Sequence, residues 1–240
     1  MHWKLVWPAA FSLAATLFIA DTAAAQQTVN FSFGYFSLRG ESGRIEDDVL
    51  LENQPIYSLI GDDRSFDISD FNSATVGVEW LFPIGDYLEA GAGLQFTSRT
   101  VNTQYLDFVR PDQSEIEQDF RLRIVPITAT VRVLPLGRNA PVQPYVGGGI
   151  GIFNWRYAET GDFIDFTVPG RPVFPAEYEA SGTSVGPVAV FGARVPLGQF
   201  SIGGEARWQR AEGDLDSDDF LAPKIDLGGW HYQATFGVRF

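Results

Sequence analysis

The 240-residue sequence has no cysteine. That excludes a disulfide framework, any thiol-based metal or catalytic site, and a lipid anchor attached to an amino-terminal Cys. Lysine is almost absent, with Lys4 and Lys224 the only two, and the formal net charge is −13. A chain this acidic lacks the basic face that nucleic-acid binding requires. Histidine is scarce too: His2 and His231. Beyond the first 25 residues no apolar run is long enough for a membrane helix, so any membrane crossing there has to be made by strands.

The opening segment is different in kind. His2 and Lys4 give a weakly basic start, Leu5 to Ala20 is an apolar core broken only by Pro8, Ser12 and Thr16, and Ala23-Ala24-Ala25 is a small-residue cleavage site. Residues 1–25 are therefore expected to be a secretory signal peptide, with Gln26 as the new terminus and residues 26–240 as one β-domain. A retained membrane helix is the alternative. An exported chain then stays in the periplasm, leaves the cell, or enters the outer membrane.

What the chain does have is glycine (25), aromatic residues (14 %) and alternation. Trp230, Tyr232, Ala234, Phe236, Val238 and Phe240 fall on one parity of the last stretch, and His231, Gln233, Thr235, Gly237 and Arg239 on the other. Successive side chains of a strand point to opposite faces, so one face is apolar and the other polar or small. About eleven residues is the length a tilted strand needs to cross a bilayer. The same pattern recurs at 29–38, 73–82, 87–100, 120–134, 144–157, 184–195 and 200–210, giving eight strands. Pro126 costs its strand a ladder hydrogen bond and predicts a bulge or an edge of the ladder. The glycines of PYVGGGIGIFNWRY leave the facing of residues 144–157 unassigned.

The connections alternate in length. Residues 40–70, 102–119, 158–182 and 211–223 are long and polar; 83–86, 136–142 and 196–198 are short turns. Outer-membrane barrels have short periplasmic turns, long external loops and an even strand number. The long segments hold 24 of the 29 acidic residues beyond residue 25, so the strands are nearly free of carboxylates, as hydrocarbon demands. The expected fold is all-β: an eight-stranded antiparallel up-and-down transmembrane barrel with four long external loops.

A soluble barrel with its apolar face inward has the same alternation. The polar parity argues for the opposite sense, because it is mostly Gly, Ser, Thr and Gln, which suits a narrow lumen. Aromatic residues near strand ends (Trp80, Phe82, Tyr87, Phe153, Trp155, Tyr157, Trp208, Trp230, Tyr232, Phe240) are assigned to interfacial girdles. The lumen then receives Glu79, Glu89 and Glu205 together with Arg132, Arg194, Arg207 and Arg239. Confined charges persist only if paired or hydrated. Either they form an ion-pair network that plugs the barrel, or several sit at the ends and meet water.

The segments VPITATVRV (125–133), QPYVGGGIG (143–151), GGEARW (203–208) and the terminal FGVRF (236–240) resemble the small eight-stranded outer-membrane barrel family that includes the OmpA transmembrane domain, OmpX and OmpW-like proteins. The resemblance spans roughly residues 29–240 and is specific for architecture. It implies a Gram-negative outer-membrane location. It also implies that the barrel-assembly machinery reads Tyr232, Phe236, Val238 and Phe240 in the last strand. Members range from structural proteins and adhesins to narrow, porin-like channels and lipid-modifying enzymes, and the resemblance brings no catalytic residue.

Three features remain to be weighed. His231 is a candidate base, with Ser201 and Glu205 on the polar parity of the neighbouring strand as the nucleophile and acid it would need, but lipid A deacylases place a serine two residues after the histidine and this chain has Gln233, so a hydrogen-bonded filler is expected. Asp214, Asp216 and Asp218 echo a calcium loop, yet Asp219 stands where glycine is needed and Ile225 where Glu is needed. A solvated acidic loop is expected, with weak divalent-cation binding where carboxylates share ions with lipopolysaccharide phosphates. Residues 49–60 (VLLENQPIYSLI) suit an external hairpin, a lid or an adhesive patch, and ten strands result if they pair within the membrane. The expected function is non-enzymatic and without a cofactor: an outer-membrane protein presenting acidic loops to lipid, lipopolysaccharide and surface partners. A narrow channel is the alternative, and a lipid-modifying enzyme a weaker one.

Overall fold

The computed structural model describes residues 27–62, 64–215 and 218–240. The expected signal peptide lies outside the described residues. Eight long strands form one antiparallel ring: β1 Thr28–Leu38, β2 Ser73–Ile84, β3 Leu88–Val109, β4 Glu115–Val133, β5 Gln143–Ile164, β6 Val173–Leu197, β7 Phe200–Gln209 and β8 Gly229–Arg239. Each pairs with its neighbours in sequence, and β1 pairs with β8 from Thr28↔Arg239 to Leu38↔Gly229, which closes the ring and removes every edge within it. The three short connections share one end. Gly85, Gly137 and Gly198 lie there at positive φ, a conformation these tight turns need and a side chain would strain.

Four strands are much longer than their sequence pattern suggests. The segments 102–119 and 158–182, expected as loops, are the upper parts of β3, β4, β5 and β6, and only residues 110–114 and 165–172 turn. The reason is a change of polarity along a constant parity. On β4, Val125, Ile127, Ala129, Val131 and Val133 point outward below, and Asp119, Arg121 and Arg123 point outward above. Inward, Thr128, Thr130 and Arg132 give way to Ile116, Phe120, Leu122 and Ile124. The lower half is apolar outside and mostly polar inside; the upper half is the reverse. A polar outward face in a strand standing in water resembles a loop when read as composition. The carboxylates assigned to two of the loops therefore sit largely on strands, above the apolar belt.

The upper half has its own hydrophobic core, with Phe36, Tyr105, Phe120, Leu122, Phe153, Trp155 and Tyr157 all buried. This corrects the expected girdle at three places: Phe153, Trp155 and Tyr157 point inward, on the parity of Gly147, Gly149 and Gly151. The outward aromatic residues near the short-turn end are Trp80, Phe82, Tyr87, Phe200 and Phe240, with the Trp80 ring 5.2 Å from that of Phe82.

Residues 39–72 fill the open end. A one-turn helix Val49–Asn53 buries Val49 and Leu50 completely, and the short strand Tyr57–Leu59 pairs with Thr103–Tyr105 above the belt. The segment is thus a lid, and the ring stays at eight. Pro126 causes no bulge. The β3–β4 ladder skips the positions beside it, between Leu94↔Ile127 and Thr97↔Ile124, without a change of register; the register shift lies higher, between Gln104 and Val109.

Candidate functional site

The belt's inward face carries Glu79 on β2, Glu89 on β3, Arg132 on β4, Arg194 on β6, Glu205 and Arg207 on β7, and Arg239 on β8, in two groups. In the central group each acid touches both bases. Arg132 donates from Nη2 to Glu79 and, at 2.7 Å, to Glu205 Oε2. Arg207 donates from Nη2 to Glu79 Oε1 at 3.1 Å and to Glu205 Oε1 at 2.9 Å, and from Nη1 to Thr128 Oγ1 at 3.0 Å. Four buried charges sum to zero, each within hydrogen-bond reach of two opposite ones, the arrangement that offsets loss of hydration.

Neutral groups complete the cluster. Tyr145 donates its hydroxyl to Glu205 Oε2 at 3.0 Å and lies with its ring 4.7 Å below the Arg132 guanidinium. Gln233 donates to Glu205 Oε1 at 2.9 Å and accepts from Gln95 at 2.9 Å. A second group sits towards the short turns: Arg194 pairs with Glu89 and donates from Nε to Gln143 Oε1 at 2.8 Å. Arg239 donates to that same Gln143 oxygen at 3.2 Å, is half-buried, and makes no ion pair among the described residues.

Sequence reasoning missed Tyr145 and Gln143, because the glycines of β5 hid its facing. The signal was present in those glycines: three on one parity mark the crowded side. A Cβ on Gly147 would stand 3.0 Å from Arg132 Cγ, and one on Gly91 2.9 Å from Glu79 Oε1. The void beside the central group, between Asn30, Gln95, Arg207 and Gln233, measures about 10 Å³, the space of about one water. Below it Asp86, Arg138, Arg194 and Arg239 line an open vestibule of about 220 Å³.

His231 is buried on the inward face of β8. Its ring stacks on Phe36 at 4.3 Å and its Nε2 meets Gln209 Oε1 at 3.1 Å. Ser201 pairs with Gly237, six positions from His231 along the strand, so the two stand roughly 20 Å apart. Ser201 and His231 therefore form no nucleophile–base pair. Of the acidic run, Asp216 lies outside the described residues, and Asp214 pairs with Lys224 in a small hairpin (Glu212–Asp214 with Lys224–Asp226). Among the described residues no group of three or more metal-ligating side chains is placed to hold an ion. Tyr232, Phe236 and Val238 lie on the outward face of β8, and Phe240, just beyond its end, is exposed.

The open end holds a second polar cluster. Asn53, on the lid helix, donates from Nδ2 to Glu159 Oε1 at 2.8 Å, and Tyr157 donates its hydroxyl to the same oxygen at 2.8 Å. Glu159 stands above the belt in the projecting part of β5. Burial pushes its carboxyl up to about 6, against the opposing effect of the two hydrogen bonds.

No family model and no curated protein matches the sequence. Solved structures do. Neisserial surface protein A (NspA) is 11 % identical, with 90 % of this chain and 98 % of that one aligned, at a TM-score of 0.48. Ail, the attachment invasion locus protein of Yersinia pestis, is 11 % identical over 90 % and 99 %, at 0.45. The N-terminal β-barrel domain of Pseudomonas aeruginosa OprF is 11 % identical over 90 % and 98 %, at 0.34. These are small outer-membrane barrels of the OmpA/OmpX type, the kind the sequence resembles. Likeness at this level adds no argument about activity. The chain's own pairing, closed at eight, makes it an antiparallel β-barrel.

Proposed function

We propose that this chain is an integral outer-membrane β-barrel protein with a closed lumen, whose work is done on its external face rather than through its interior. The observation that carries the reading is the inversion along each long strand. An uninterrupted outward apolar belt surrounds paired charges, and directly above it the same strands turn polar outward and build a capped, apolar-filled turret. A water-soluble barrel has no use for the lower half, and a membrane plug alone has no use for the upper one. On this reading the partners are outer-leaflet lipid and lipopolysaccharide around the belt and the assembly machinery at the last strand. Whatever contacts the turret meets an acidic surface, where divalent cations would bind weakly.

The filled lumen argues against conduction. Eight strands enclose only enough room for side chains, and here Arg132, Arg207, Glu79 and Glu205 fill it. The separation of Ser201 from His231 argues against hydrolytic chemistry. The decisive experiment is refolding of residues 26–240 into detergent. A folded species whose gel mobility shifts only after boiling supports the membrane reading; a freely soluble, detergent-independent monomer overturns it. In planar bilayers the refolded protein is expected to give no discrete openings, and reproducible unitary conductance would replace this reading with the channel.

A further inference from the structure

The external face of β3 to β6 is layered just above the belt. Leu94, Ile127, Ile152 and Val185 form the last wholly apolar outward row, and the next mixes Val125 with Asn154 and Thr183. Above it stands Ser98–Arg123–Arg156–Ser181, paired side by side across four strands. Then comes Thr100–Arg121–Ala158–Glu179, and then Asn102–Asp119–Thr160–Glu177. The bases thus stand lowest, next to the membrane, and the carboxylates rise above them. Apart from Asn102 and Ser181, the side chains of these three rows line, with Phe96 at its foot, a groove of about 650 Å³ on the outer wall.

The pairing of Arg123 with Arg156 needs a cause. Like charges directly opposite on one sheet face repel and weaken the pair. In this acidic chain two arginines are nonetheless set opposite each other, with Arg121 two positions along the same face. Arg156 turns aside to Glu179, and Arg121 donates to Thr100 Oγ1 at 3.1 Å. Arg123 has no hydrogen-bond or ion-pair partner among the described residues. The row lies about 7 Å of strand above the last outward apolar side chain, and the headgroup layer of a bilayer is about 5–7 Å thick on each side. Arginine binds phosphate through a planar fork of donors, and serine hydroxyls on both flanks add further donors.

The geometry points to a binding site for a phosphorylated headgroup of an outer-leaflet lipid, formed by Arg121, Arg123 and Arg156 with Ser98 and Ser181, on the outer wall of the barrel at the membrane surface. This site rests on the membrane reading above and gives it an address. A phosphate between Arg123 and Arg156 converts their repulsion into two charge-assisted contacts. Glu179 is the group it has to displace from Arg156, and Asp119 and Glu177 line the upper end of the same groove, two outward rows beyond Arg123 and Arg156. A free phosphate ion offers the same oxygens without the acyl chains, so the two sources differ in whether the belt below Arg123 contributes.

The test uses the full barrel folded in detergent. It is titrated with bisphosphorylated lipid A, with the same lipid after removal of both phosphates, and with inorganic phosphate, and binding is followed by native mass spectrometry. Phosphorylated lipid A is expected to bind at least tenfold more tightly than either of the others. The triple variant Arg121→Ala/Arg123→Ala/Arg156→Ala is expected to lose at least that tenfold advantage. Equal binding of the dephosphorylated lipid, or unchanged affinity in the variant, overturns the site. Inorganic phosphate binding as tightly as the lipid overturns the lipid assignment. Every variant is first checked for boiling-dependent mobility. If the triple variant does not fold, Arg123→Ala alone, which loses no partner, is expected to weaken lipid A binding at least threefold, and no change there overturns the proposal. Absence of the mobility shift in the parent protein would instead sink the membrane reading.

Discussion

Single residues in this barrel carry unusually large consequences where charge is buried. Glu205 accepts from Arg132, Arg207, Tyr145 and Gln233. Removing it leaves two buried guanidinium groups sharing Glu79. Glu205→Ala is therefore expected to destabilise the barrel by about 3–5 kcal/mol, read from urea unfolding in detergent. Glu205→Arg combined with Arg207→Glu should recover part of the loss of the single reversals, and strict additivity in that cycle would show that the two are uncoupled. Space matters as much as charge: Gly91→Val places methyl groups where Glu79 and Thr130 now lie and is expected to cost about 1–3 kcal/mol in the same assay. Glu159 gives a pH signature. Its carboxyl titrates at about 6 in the folded chain against an ordinary 4.5. The folded state takes up its proton first as pH falls, so stability rises between pH 6 and 4.5 and is flat below. The gain is about 2 kcal/mol. Glu159→Gln should abolish that slope; a slope surviving the substitution would assign it to other groups. Parity alone puts the seven luminal charges on the face opposite the apolar one, because a period of two leaves a side chain only two faces. Which acid meets which base was not legible, because that depends on the heights of strands far apart in sequence.

At the level of elements, the lid is held by one aspartate. Asp226 follows the fourth connection. Its side chain accepts from Arg39 at 3.1 Å, from the Ile45 amide at 3.3 Å and from the Gly228 amide at 2.7 Å. Its own amide donates to Asp48 Oδ1 at 2.9 Å, and its carbonyl accepts from Arg44 at 3.0 Å. Arg44 in turn pairs with Asp48 within the lid. The first and fourth connections are thereby clasped across the open end. Asp226→Ala is expected to make residues 40–70 at least tenfold more susceptible to limited proteolysis while leaving the boiling-dependent mobility of the barrel intact. Equal cleavage rates would show that the buried Val49, Leu50 and Tyr57 hold the lid without the clasp. The elements themselves were only partly visible in the sequence. Strands within the belt showed apolar alternation and were placed nearly to the residue. Their continuations carry charged residues outward and read as loops in the sequence, because hydropathy reports the solvent a face meets as well as the secondary structure beneath it.

For the whole molecule, a single wall meets two surroundings. On the proposed membrane reading the lower half is stabilised by turning apolar side chains to acyl chains and enclosing polar ones; the upper half is stabilised by the ordinary burial of apolar groups away from water. The halves share the walls β3 to β6: pairing runs unbroken through the transition in β4–β5 and β5–β6, and the β3–β4 ladder skips two positions there without a change of register. The transition lies at Asn154 and Thr183 on the outside and at Thr97 and Phe153 on the inside. A chain truncated to belt height, with β3–β4 and β5–β6 joined by short turns and the lid replaced by a short linker, is therefore expected to fold in detergent and keep its heat-dependent mobility. Failure of that construction would make the turret a requirement for closing the ring.

The sequence by itself determined the strand number, which parity is apolar, and the end at which the short turns lie. All of these follow from a period-two pattern and from the spacing of turns, which are local properties. Only the tertiary structure decided that the walls continue above the apolar belt, that Phe153, Trp155 and Tyr157 face inward, that residues 49–60 cap the turret, and that Arg123 stands opposite Arg156. Those facts depend on register between strands and on which solvent surrounds each height of the wall, and no single strand encodes either.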